Sequence, residues 1–169
     1  MPDSPSRDPV ERTHHLARAT PAEAYAVVTD FDAYPRLFPE IKQTRTLSAS
    51  GSVRRVEFRA QVVVAVRYVL DLLCDPTAVT VDWTFVEGEI VTGSAGSWRF
   101  TAEGDGTAIR YRASLDVRAP LPGFVLRKVT DGLLAASLPA MFASIDREVR
   151  RRQQQPAAGP RTDQGPLRT

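Results

Sequence analysis

The stretch that decides the fold is "TPAEAYAVVTDFDAYPRLFPEI", residues 20–41, which predicts a helix, a break and a second, very short helix. Thr20 can cap the first helix, Pro21 suits its first position, and Glu23 stands three residues after Thr20, as in a capping box. Apolar residues then recur on one helical face. This pattern predicts that the first helix ends near Phe31.

Two prolines bound the second helix of this stretch. A residue before a proline is biased away from helical angles, so Pro35 sets a boundary at Tyr34. We expect a short helix over Pro35 to Phe38, closed by Pro39. A segment fixed at both ends can aim its apolar side chains at one target. These side chains are Tyr34, Leu37 and Phe38.

Downstream of Ile41 the apolar period changes from helical to two, which indicates strands. Every even residue from Val56 to Cys74 is apolar, a run too long for one strand in a domain of this size. We therefore expect a hairpin near residues 63–66, although no Gly, Asn or Pro marks the turn. Alternating patterns also predict strands over residues 10–19, 78–88, 96–104 and 104–120. Apolar residues on a single face indicate an antiparallel sheet with one covered face.

The cover for that sheet is predicted at the C-terminal end. A helix of about 28 residues should begin at Pro122, because apolar residues recur there at i, i+3 and i+4 and basic residues follow at positions 150–152. Leu134 and Met141 belong to its apolar stripe. Pro139 lies inside the pattern and should kink the helix, since proline removes one backbone hydrogen bond.

Composition bounds the remaining classes. The chain has 169 residues, of which 43% are hydrophobic, enough for a single domain with a core. We place this domain at residues 10–152, between a disordered N-terminus at 1–9 and a disordered polar tail at 153–169. No apolar run is long enough to span a membrane and no secretory pattern begins the chain, so a cytoplasmic protein is expected.

Charge and titratable residues give few signs of chemistry. Five arginines of residues 150–169 account for the net charge of +2, so no basic folded face is expected and no DNA partner is predicted. The single cysteine, Cys74, excludes an internal disulfide. His14 and His15 are adjacent in a strand and point to opposite faces. Asp30 and Asp32 are interpreted as helix-end caps. We therefore predict no catalytic residues, no metal site and no cofactor.

The order of elements resembles the helix-grip fold of the START-like superfamily, which includes the polyketide cyclase/dehydrase group. Within it, the stretch over residues 30–39 resembles the coenzyme Q-binding branch, at Asp30, at Tyr34-Pro35 and at Leu37-Phe38-Pro39. "SWRF", residues 97–100, resembles a strand of the same branch. The likeness covers about residues 10–152. "QVVVAV", residues 61–66, and the C-terminal tail depart from the family pattern.

The resemblance implies an α+β fold in which a curved antiparallel sheet of about seven strands wraps a long C-terminal helix and can leave an apolar cavity. A filled core would use the same side chains as a ligand-lined cavity. The candidate ligand-binding residues are Tyr34, Leu37, Phe38, Phe58, Tyr68, Trp83, Phe85, Trp98, Phe100, Tyr111, Leu134 and Met141. Tyr68 and Tyr111 are the expected polar contacts.

Three functions follow from these features. The first is a non-enzymatic binding or transport domain for a hydrophobic small molecule, such as a quinone, a lipid or a polyketide-like compound. The second is a polyketide aromatase or cyclase, which needs acid/base groups that only the inward tyrosines or one histidine offer. The third is an interaction module, with transient contact between the Arg-rich tail and a ribosome or a membrane surface.

Overall fold

The computed structural model describes residues 9–134 and 137–155. Its strands are β1 Val10–Leu16, β2 Ile41–Ser50, β3 Val53–Val62, β4 Val64–Asp75, β5 Thr80–Glu89, β6 Val91–Glu103 and β7 Gly106–Val117. Its helices are α1 Pro21–Val28, a 3-10 turn at Phe31–Ala33, α2 Tyr34–Leu37, α3 Gly123–Leu134 and α4 Leu138–Gln154. The seven strands form one antiparallel sheet in the order β1-β7-β6-β5-β4-β3-β2, which confirms the predicted helix-grip architecture.

The predicted capping box at the start of α1 is present. The Thr20 side chain accepts a hydrogen bond from the backbone N–H of Glu23 at 3.2 Å, and the Glu23 carboxylate accepts from the backbone N–H of Thr20 at 3.0 Å. The helix ends at Val28, three residues earlier than predicted, because the backbone tightens into the 3-10 turn. The second short helix begins at Tyr34, one residue before Pro35.

The hairpin between β3 and β4 turns at a single residue, Val63, whose φ is 65°. Valine rarely adopts a positive φ, which is why the sequence carried no turn signal. Val62 pairs with Val64 across this turn, so even residues pair with even residues and Phe58 lies opposite Tyr68. The apolar face therefore continues unbroken from one strand to the next.

The C-terminal cover consists of two helices, where the sequence pattern predicted one long kinked helix. Helix α3 ends at Leu134, and α4 begins at Leu138 with Pro139 in its first turn. A proline in the first turn costs no helical hydrogen bond, so Pro139 here starts a helix. Helix α4 continues through Gln154, two residues past the predicted domain end, and Gln153 donates to Glu23 at 2.9 Å.

The core lies between the inner face of the sheet and these helices. The predicted strand phases hold: Trp83, Trp98, Ile109, Tyr111 and Leu115 are all buried. The Trp98 ring meets Phe142 of α4 edge-on, with ring centroids 6.4 Å apart. No described helix is long and apolar enough to cross a membrane. The predicted disorder of residues 1–8 and 156–169 lies outside the described residues.

Candidate ligand-binding cavity

An internal cavity of about 130 Å³ lies between the sheet and the C-terminal helices. One side is formed by α2 and the chain that leads into β2. The inner faces of β3 to β7 form the floor, and the end of α3 with the start of α4 forms the roof.

Nine of the twelve predicted ligand-binding residues line this cavity. They are Tyr34, Phe38, Phe58, Tyr68, Trp83, Trp98, Tyr111, Leu134 and Met141. The strand residues among them share the inward phase predicted from the alternating pattern. The structure therefore brings together, around one cavity, residues that are up to 107 positions apart in the chain (Tyr34 and Met141).

The other three predicted residues lie elsewhere. Leu37 is buried in the core behind α2 and does not border the cavity. Phe100 is turned toward α1, where its ring meets Tyr25 edge-on at 6.2 Å. Phe85 is half-buried against the edge of the core. These three positions do not border the cavity, because inward phase alone does not decide which inward residues border the empty space, and ligand contact there stays a prediction.

Further lining residues were not predicted as ligand contacts: Pro39, Glu40, Ile41, Leu70, Leu72, Ser94, Ala113, Leu115, Gly132, Leu133 and Ser137. Four of them were in the predicted inward phase and could have been found from it (Leu70, Leu72, Ala113 and Leu115). Gly132 carries a different signal. A Cβ atom there would lie 2.4 Å from a Val62 methyl, so only glycine lets α3 approach β3 this closely.

Three tyrosines surround the cavity, and their hydroxyls differ. The Tyr34 hydroxyl donates to the backbone carbonyl of Val28 at 2.5 Å. The hydroxyls of Tyr68 and Tyr111 have no hydrogen-bond partner within the described residues, and neither is sealed away from open space. Burial raises the pKa of all three phenols, so they remain protonated donors.

Two other polar groups of the wall are bonded within the protein. The indole N–H of Trp83 donates to the Ser94 hydroxyl at 3.2 Å, and that hydroxyl donates to the carbonyl of Ser114 at 3.0 Å. Of the cavity-lining residues, one carries a charge, Glu40. The wall is therefore mostly aromatic and apolar, and the hydroxyls of Tyr68 and Tyr111 face the space together with Glu40 and with Ser137, whose side chain makes no capping bond.

The histidines lie away from this cavity. His14 pairs with Asp146 at 2.9 Å and stacks on Phe142 at 4.8 Å. His15 is exposed beside Glu103 and Asp105, on the opposite face of β1 as predicted. No group of three or more His, Cys, Asp or Glu within residues 9–134 and 137–155 could hold a metal ion.

The half-buried Cys74 also lies off the cavity. Its thiol points at the carbonyl of Leu72, 3.8 Å away, and burial raises its pKa.

An ionic cluster ties α2 to α4 beside the cavity. The buried Glu148 carboxylate accepts hydrogen bonds from Arg36 of α2 at 2.8 Å, from Arg151 at 2.7 Å and from Arg152 at 3.0 Å. These arginines hold the pKa of Glu148 far below its usual range. Arg152 also binds Asp30 at 2.8 Å. Asp30 makes no capping hydrogen bond with its side chain, so its predicted capping role is corrected to an ion pair.

Asp32 has a smaller part. It lies exposed within the 3-10 turn, inside the segment that it was expected to cap.

Solved structures share this architecture. A crystal structure of TTHA0849 from Thermus thermophilus matches with a TM-score of 0.72 and 20% identity, over 86% of this chain and 97% of that chain. A START superfamily protein from Mycobacterium smegmatis matches with 0.69 and 19%, over 85% and 98%. The Zhui aromatase/cyclase from Streptomyces sp. R1128 matches with 0.71 and 20%, over 89% and 97%. At these identities the likeness concerns the fold.

No curated protein matches the chain by sequence. A family model does: the model described as "Polyketide cyclase / dehydrase and lipid transport" matches residues 8–150. The match includes every strand, both short helices after β1 and nearly all of α4. The chain belongs to this polyketide cyclase/dehydrase and lipid transport family.

Proposed function

We propose that the protein binds a hydrophobic small molecule in the internal cavity and acts as a carrier. The observation that supports this most is the cavity itself, an empty space walled by aromatic and aliphatic side chains from both ends of the chain. Ligand sites in proteins are typically concave and mostly apolar, with a few polar groups that fix the ligand's orientation. Tyr68 and Tyr111 are such groups here.

The cavity volume limits the ligand. At about 130 Å³ it is smaller than the roughly 300–1,000 Å³ of most ligand sites. It is close to the apolar cavity of about 150 Å³ that accepts benzene in an engineered protein. A compact ring system fits inside, and a longer chain would have to extend out of the cavity. A quinone head with an isoprenoid tail has this shape, which makes a quinone our finer proposal.

A binding role is favoured over catalysis because the phenols that line the cavity stay protonated. Cyclisation of a polyketone needs a base that removes a proton near neutral pH. The tyrosines have raised pKa values, so they donate hydrogen bonds but are poor bases. His14 is engaged with Asp146 outside the cavity lining, so the described lining offers one carboxylate, Glu40, as a base and no second charged group beside it. The resemblance to an aromatase/cyclase therefore supports a shared ligand-binding architecture first.

Native mass spectrometry of freshly purified protein tests the proposal. We expect a species heavier than the chain, and solvent extraction should release a neutral hydrophobic compound. An Ala113→Leu variant, which narrows the cavity at a lining alanine, should carry less of it. Repeated preparations without any bound compound, together with no saturable binding of added ketones or quinones, would overturn the carrier proposal.

A further inference from the structure

Two hydroxyls of the cavity wall have no hydrogen-bond partner among the described residues, and both open onto the empty space. Because a buried polar group normally finds a hydrogen bond, a ligand that fills this space should offer these hydroxyls acceptors. Tyr111 has 7% of its surface exposed and Tyr68 is half-buried, and neither hydroxyl is bonded to any described residue. By contrast, the Tyr34 hydroxyl on the same cavity is satisfied by Val28. Among the tyrosines of the wall, the free donors are therefore those of Tyr68 and Tyr111.

The two tyrosines stand on well-separated strands. Tyr68 is on β4 and Tyr111 on β7, with β5 and β6 between them. Through the ladder Tyr111 is level with Cys74 of β4, so the two tyrosines are offset by three strands across the sheet and by six residues along β4. Both side chains point inward on a curved sheet, and both border the same cavity. A single ligand inside can meet one hydroxyl at each end.

The ring contacts hold both side chains in place. Tyr68 stacks on Phe58 with centroids 5.2 Å apart, and Tyr111 packs against Trp98 at 4.7 Å and Trp83 at 5.9 Å. Fixed rings give fixed donor positions, so a ligand does not have to order them. This preorganisation makes the two hydroxyls selective for acceptor positions on the ligand.

The charge of the wall excludes anionic ligands. No Lys, Arg or His borders the cavity among the residues that the structure describes, and the one charged lining residue, Glu40, is acidic. Burying a carboxylate without a cation is strongly unfavourable, and Glu40 adds repulsion. A neutral carbonyl or ether oxygen, in contrast, accepts from a phenol at little desolvation cost.

We infer that the ligand is uncharged and carries two hydrogen-bond acceptors, one bound by Tyr68 and the other by Tyr111. This inference rests on the proposed function and narrows its ligand class to neutral diketone-like or quinone-like compounds. Free fatty acids and other carboxylates are excluded from the interior. Each tyrosine is a specificity-determining residue whose hydroxyl donates a hydrogen bond to one acceptor of the ligand.

The test uses three flexible eight-carbon probes: 2,7-octanedione, octane and octanoate. Their binding is measured by displacement of Nile red from wild type, Tyr68→Phe, Tyr111→Phe and the double variant. Losing one neutral hydrogen bond weakens binding roughly 2- to 12-fold. We expect this loss for the diketone in each single variant and about the product of both losses in the double variant. Octane should bind all four proteins equally or the variants slightly better.

Tyr25→Phe is the matched control. Tyr25 is half-buried, its hydroxyl has no partner among the described residues, and it does not border this cavity. It should bind every probe like wild type. Octanoate should bind wild type at least tenfold more weakly than the diketone.

The outcomes separate the two proposals. If no probe displaces Nile red from wild type, the proposed function fails. If the probes bind but the diketone is unaffected by one or both tyrosine substitutions, or octanoate binds as well as the diketone, the two-acceptor inference is wrong while the carrier proposal stands.

Discussion

Leu37 and Phe38 are sequence neighbours whose side chains lie in different surroundings. Leu37 is buried in the core, whereas Phe38 borders the cavity and packs edge-on against Tyr34 at 4.8 Å. Phe38 is only 5% exposed, so its side chain also belongs to the packed interior.

Alanine substitutions at this pair separate packing from ligand contact. Both Leu37→Ala and Phe38→Ala should lower the free energy of unfolding by about 2–5 kcal/mol, because each removes a buried side chain. Only Phe38→Ala should change ligand affinity. Urea denaturation with and without 2,7-octanedione measures both effects. An equal ligand-induced gain in stability for the two variants would show that Phe38 does not contact the ligand.

The sequence predicts which residues face the inside of the sheet. It does not predict whether their polar atoms find hydrogen-bond partners. Alternation placed Tyr68 and Tyr111 on the inner face, and both are there. Whether a phenol finds a partner depends on what stands opposite it in three dimensions, as the contrast with Tyr34 shows. Asp30 was misjudged for the same reason, because its partner Arg152 is 122 residues away.

At the scale of elements, the ionic cluster around Glu148 ties α4 to α2. Arg36 reaches it from α2, between the cavity-lining Tyr34 and Phe38. The carboxylate is 3% exposed and accepts from three arginines. Removing the charge of this buried carboxylate leaves the three arginines without their shared partner, and breaking a buried ion pair in this way lowers stability.

This cluster should make the free energy of unfolding decrease as the pH falls. The pKa of Glu148 is lowered in the folded protein, so its stabilising contribution is complete above about pH 5 and is lost as the pH falls toward the folded pKa. Glu148→Gln should therefore lower stability at pH 7 and flatten the loss of stability between about pH 5 and pH 2. Thermal melting across this range measures the slope.

Asp71→Asn is the matched control for that slope. Asp71 pairs bidentately with Arg55 at 2.8 and 2.9 Å, and its carboxylate is more exposed, at 29%. Exposed pairs contribute little, so this variant should flatten the slope less. Equal slopes for the two variants would contradict a special role for Glu148.

The elements themselves were largely predictable, and their ends were not. The capping box located the start of α1 because it is a local signal. The hairpin at Val63 and the division between α3 and α4 had no such signal. Val63 is held at a positive φ by the pairing of its flanking strands, and Pro139 is compatible both with a kink and with a helix start.

At the scale of the whole molecule, the cavity is the central claim. The same aromatic side chains could fill a core or line a space, so composition and periodicity do not distinguish the two. The difference lies in how far a curved sheet stands from its helices, which depends on contacts such as Gly132 against Val62. This distance is a property of the assembled fold.

The most direct test fills the space at Ala113, a cavity-lining residue that is 2% exposed. Ala60, similarly buried on the same inner face but off the cavity, is the control. A larger side chain in a packed core costs about 1–3 kcal/mol, whereas each CH₂ placed in empty apolar space stabilises by about 0.8 kcal/mol. The measurement is the free energy of unfolding of Ala113→Leu and Ala60→Leu in urea. We predict that Ala60→Leu is destabilised while Ala113→Leu is as stable as wild type or more stable, and no longer binds ligand. A loss of about 1–3 kcal/mol in both variants would contradict the presence of the cavity, because the space beside Ala113 would then be filled.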